Sequence, residues 1–157
     1  MVFLEPWAKV LLFLHLIAAV VALGSAIHLL MRFVVTMKKR PNAFFLVRMH
    51  NKILFVSYSV CMLFAALVYP TFRIRVRFEY FDTELPWATA LFEIKEHVAA
   101  IAFFPLLLLY VLLRELDLRD ESNRHYIPLC TIILVWIIGT LGFNAWCGWY
   151  LGTLRSV

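Results

Sequence analysis

Four long apolar runs, separated by short charged segments, organise this chain. They cover about residues 7–35, 53–69, 87–113 and 126–150, and each approaches or exceeds the roughly 20 residues that a helix needs to cross a hydrocarbon core of about 30 Å. The pattern predicts an all-α integral membrane four-helix bundle, up-down-up-down, that takes up the whole chain as a single domain. One segment breaks the pattern. Between the second and third runs, Phe72-Arg73-Ile74-Arg75-Val76-Arg77-Phe78-Glu79-Tyr80-Phe81 alternates charged and apolar residues with the period of a strand, and is expected to lie along the membrane surface.

Composition supports a lipid bilayer as the principal partner. Of the 157 residues, 64% are hydrophobic and the mean hydropathy is +0.85, whereas about half the residues of a soluble domain are apolar. The net charge of +5 does not imply nucleic acid, because the basic residues fall between apolar spans, where they mark a membrane boundary. Lys38, Lys39, Arg40, Arg48 and Lys52 crowd the first connection, and Arg114, Arg119 and Arg124 mark the third. Both connections are therefore expected in the cytoplasm and both termini outside, as in a bacterial cytoplasmic membrane. Ala22-Leu23-Gly24-Ser25-Ala26 is like a signal-peptide cleavage site, but the apolar run continues to Val35, so the first helix is expected to be retained. Cys61, Cys130 and Cys147 lie inside apolar runs without a C-x-x-C motif, which leaves no covalent haem attachment.

Ionisable side chains are costly inside a bilayer and are functional candidates by default. His15 lies 17 residues before Arg32, and His97 lies 17 residues before Arg114. At about 1.5 Å per residue, each histidine sits roughly 25 Å from an arginine at the same boundary, which gives the two a common depth. The first and third helices of such a bundle are diagonal, so His15 and His97 are expected to face each other and ligate one b-type haem. His28 and His50, near the opposite boundary, are the candidates for a second haem. His28 follows His15 by 13 residues, which turns it roughly 140° around the helix. His125, beside Arg124, reads as an interface residue. Arg73, Arg75 and Arg77 either meet lipid phosphates or cover the haem propionates. Glu93, one turn before His97, is placed to orient its imidazole through a carboxylate, or is simply a solvated acid at a helix start.

Trp7-Ala8-Lys9-Val10, Leu14-His15-Leu16-Ile17, Gly24 and Met31-Arg32-Phe33-Val34, with Arg48 through Ile53 and Lys95-Glu96-His97-Val98, resemble the small four-helix haem proteins of the HemJ type and the related CopD-like membrane domains. The resemblance implies a haem-capable bundle in which helix one supplies a histidine and helix three a lysine. Lys95 stands in that region, with His97 two residues on. The function expected from these residues is a b-type cytochrome subunit that carries electrons between a quinone pool and an extracytoplasmic partner such as a cytochrome c, within a larger redox complex. Two alternatives stay open: a haem-free accessory subunit of a membrane complex, and a HemJ-like protoporphyrinogen oxidase.

Overall fold

The structure, a computed structural model, describes residues 2–37, 43–118 and 120–156. Lys38, Lys39, Arg40 and Arg119, invoked above for orientation, lie outside them. Four long helices form: α1 (Ala8–Met37), α2 (Ala43–Phe72), α3 (Pro86–Glu115) and α4 (Ile127–Leu154). All are long and apolar enough to cross a membrane, and no strand occurs among the described residues. The chain is an integral membrane four-helix bundle. Pro86 opens α3, where a missing amide proton costs no helical bond.

α1 packs against α2 and α4, and α3 packs against α4 and α2, so α1 and α3 stand diagonally, as the span order predicts. Both ends of the chain and the α2–α3 connection share one end of the bundle, here the terminal end. The α1–α2 and α3–α4 connections share the other, the loop end. Each helix presents one seam of residues spaced by seven, the repeat that keeps a side-chain row facing its neighbours. On α1 the row Ala8, Ala22 and Leu29 is buried; on α2, Val47, Leu54 and Val68; on α3, Ala88, Ala102 and Leu109. Small residues on α1, among them Ala18, Ala22, Ser25 and Ala26, let α2 approach closely, which matters where lipid supplies no hydrophobic drive for helix association. The opposite faces expose Phe13, Val20, Phe104, Ile132 and other large apolar side chains, as expected of a surface solvated by lipid.

α2 starts about ten residues earlier than the apolar run suggests. Arg48 and Lys52 are exposed on its flank, so charges that end a hydropathy window do not end the helix. The α2–α3 connection also differs from expectation. It is not extended but continues α2 as a π-helix over Arg73–Phe81, beginning just after Pro70, which lacks an amide donor. The amide of Asp82 donates to the carbonyl of Arg77, five residues back, and Val76 and Phe81, also five apart, are its buried residues. The alternation of arginine with apolar residues mimics a strand, but burial follows the wider helical turn.

Candidate functional site

The buried apolar residues fall into two clusters rather than one. The larger runs from the loop end to Ala22, Tyr58, Ala102 and Leu141. The smaller closes the terminal end with Val76, Phe81, Ala88, Phe92 and Leu151. Between them lies a layer to which every helix contributes a polar or ionisable seam residue: His15 from α1, Cys61 from α2, Lys95 with Glu96 from α3, and Cys147 from α4. The seven-residue rows fix these positions. His15 falls between Ala8 and Ala22, Cys61 between Leu54 and Val68, and Lys95 between Ala88 and Ala102, all of them buried.

His15 is half-buried, with Nδ1 3.0 Å from the carbonyl oxygen of Cys61 and 3.4 Å from its Sγ. A carbonyl only accepts, so Nδ1 carries the proton and Nε2 keeps its lone pair. The Lys95 side chain is 14% exposed, and its Nζ donates to Glu96 Oε1 at 3.0 Å while lying 4.9 Å from the centre of the Phe92 ring. Cys147 on α4 is fully buried. Beside the layer, the Tyr58 hydroxyl donates to the carbonyl of Ala99 at 2.8 Å, tying α2 to α3. Ala18, Ala65 and Ala99 lie about one turn along their helices from His15, Cys61 and Lys95.

His97 does not share this layer. Two residues from Lys95, it projects about 200° away, in the row of Ala90, Phe104 and Val111, all exposed. It lines a shallow depression on α3 with Ala90, Glu93, Ile94, Val98 and Ile101. The expected facing pair of His15 and His97 is therefore not formed, because His97 lies on the exposed face of α3. Nor does the Glu93 carboxylate orient His97. The imidazole Nδ1 lies 2.6 Å from the backbone carbonyl of Glu93, and the carboxylate accepts from Arg77 Nη2 at 2.7 Å.

The connector arginines are held mainly by the chain's own acids. Arg75 pairs with Glu5 at 2.7 Å and Glu79 at 2.8 Å, and Arg77 also reaches Asp82 at 3.4 Å. Arg73 is exposed. Because Arg77 bridges connector and α3 in a partly solvated setting, Arg77→Gln is expected to cost about 1 kcal/mol or less, read as a small shift in a denaturant titration. At the loop end, His28 and His50 are brought together, with ring centroids 5.6 Å apart, whereas His125 is exposed against Tyr126, at 4.1 Å.

Cys61 and the inward direction of Lys95 are the features that reading by depth missed. The seven-residue rows carry both, since His97 and Lys95 belong to different rows whatever the tilt. No group of three or more His, Cys, Asp or Glu side chains with metal-holding geometry occurs among the described residues. Comparison with protein-family models, with characterised proteins and with solved structures returns no match, so the site rests on this chain's own residues.

Proposed function

We propose that this chain is a haem-binding redox protein of the membrane, with the polar layer as its haem site. The carrying observation is the convergence of His15, Cys61, Lys95 and Cys147 from four helices into one layer between two apolar clusters, where an ionisable side chain is expensive to keep. The donor set suits one haem iron. His15 offers Nε2 from a half-buried ring fixed by the Cys61 carbonyl, and Lys95, whose ammonium donates to Glu96, would offer a second ligand once it had given up its proton. The haem, when bound, supplies one-electron chemistry. Arg73, for which no acidic partner occurs among the described residues, is the arginine left for a propionate or a lipid phosphate.

In this reading the protein is a b-type cytochrome subunit, exchanging electrons between a quinone pool and an extracytoplasmic partner within a larger complex. Its described surface is largely apolar helix face with little hydrophilic mass, which suits a subunit among others. The test is an absorption spectrum of the purified protein, oxidised and then reduced with dithionite. A reversible b-type spectrum supports the reading, and its absence under haem-replete expression leaves the haem-free accessory subunit. A second reading has its own observation: Lys95 rather than His97 shares the interior with His15, the pairing that the HemJ resemblance implies. Assay of protoporphyrinogen oxidation by the haem-loaded protein separates that enzyme from an electron carrier.

The orientation carried by the arginines and lysines places the terminal end outside a bacterial cytoplasmic membrane. A periplasm-dependent reporter fused after Val157 is expected to be active and a cytoplasm-dependent one silent. The opposite pattern would invert the assignment.

A further inference from the structure

The depression around His97 faces away from the polar layer and is formed by α3 alone, with Ala90, Glu93, Ile94, Val98 and Ile101 about the imidazole. Its depth follows from the helix rise. A hydrocarbon core of about 30 Å, measured from Arg114 at the loop-end boundary, takes up about 20 residues of α3 and ends near Ile94. His97 thus sits just inside the lipid, and Glu93 sits at its edge, where the carboxylate is paired with Arg77 at 2.7 Å. An imidazole turned toward hydrocarbon is costly and calls for a polar partner.

That ring has one nitrogen left to satisfy. Its Nδ1 lies 2.6 Å from the carbonyl oxygen of Glu93, which only accepts, so Nδ1 donates and Nε2 keeps its lone pair. Nδ1 is turned to the backbone of its own helix, and Nε2, across the ring, is turned away from it. Whatever covers this face must bring an O–H or N–H to a single acceptor set among apolar side chains. A second copy packed here about a two-fold axis at His97 would oppose acceptor to acceptor. A hydroquinone carries the complement, a flat apolar ring with a hydroxyl donor, and it dissolves in the lipid onto which the depression opens. The position also suits electron transfer. His97 and Lys95 are two residues apart on opposite sides of α3, so a ring held at His97 stands about one helix diameter, roughly 10–12 Å, from the polar layer.

We propose that this face of α3 binds the headgroup of a lipid-soluble hydroquinone, one ring hydroxyl donating to Nε2 of His97 and the ring lying against Ile94 and Ile101. The proposal rests on the quinone-pool reading above and names the place on the chain where that pool is met.

The test uses the full chain in liposomes. Binding of decylubiquinol and of decylubiquinone is measured by equilibrium partition against protein-free liposomes, and the contact is mapped by photo-crosslinking an azido-ubiquinol, followed by peptide mass spectrometry. The oxidised form offers only carbonyl acceptors, so the quinol is expected to bind about fivefold more tightly, the worth of one hydrogen bond, with crosslinks between Ala90 and Ile101. His97→Leu should remove that preference, His97→Gln, which keeps an acceptor oxygen, should restore part of it, and His125→Ala should leave it unchanged. The preference of the unmodified chain reads the site without any substitution. Equal binding of the two forms, crosslinks confined to other helices, or a preference that survives His97→Leu overturns the proposal. Quinol preference in a chain that shows no b-type spectrum keeps this site and removes the cytochrome reading, whereas a b-type spectrum without quinol preference does the reverse.

Discussion

His15→Ala is expected to abolish haem retention, with the purified variant showing no b-type absorption, whereas His97→Ala keeps the spectrum of the parent. The difference follows from helix geometry. His15 occupies the buried row of α1 and is anchored on Cys61 of α2 through a 3.0 Å contact, which orients its free nitrogen within the bundle. His97 belongs to the exposed row of α3 and meets only its own helix at the Glu93 carbonyl. Because His15 is also a packing residue, haem loss needs a readout that unfolding would not mimic. Helicity and the denaturation midpoint of the apoprotein are expected to stay near those of the parent stripped of haem. If His97→Ala empties the site and His15→Ala does not, the layer is not where haem binds.

Leu54→Ala is expected to destabilise the bundle by about 2–5 kcal/mol, the range for removing a fully buried leucine and leaving a cavity. Leu54 is fully buried at the centre of the larger cluster, while Val56, two residues on, is 49% exposed toward lipid. Val56→Ala is therefore expected to change stability by about 0.5 kcal/mol or less, as at positions without packing partners. Unfolding in mixed micelles, followed by circular dichroism, measures both. Equal effects at the two positions would mean that the buried face of α2 has been assigned wrongly.

The four spans and the diagonal placement of α1 and α3 were legible in the sequence because the bilayer imposes length and apolarity on each helix, and short connections impose antiparallel neighbours. Helix limits were less legible. Charges at Arg48 and Lys52 end an apolar run, but a helix passes them freely when they point to the surface. The Arg73–Phe81 segment was misread because alternation constrains side-chain character without fixing the backbone, and Arg75 pairs with Glu79 four residues away, a spacing that serves a helix. Within the site, His15 was found by its cost inside a membrane. Choosing His97 as its partner failed because depth was compared and azimuth was not, although the rows through Ala88, Lys95 and Ala102 and through Ala90, His97 and Phe104 are readable from the sequence.

The polar layer also indexes the helices against one another. Apolar seams built from alanine and leucine are nearly interchangeable along their length, so a bundle made only of them tolerates sliding. A slip of α3 by one seven-residue repeat carries Lys95 roughly 10 Å along the bundle, to the level of fully buried residues such as Ala102 or Ala88. There the ammonium would lie among apolar side chains, at the cost of burying a charge away from its polar neighbours. A single buried polar position sets the register of a coiled coil in this way. Here polar residues on every helix, between two apolar clusters, favour a single alignment of the bundle.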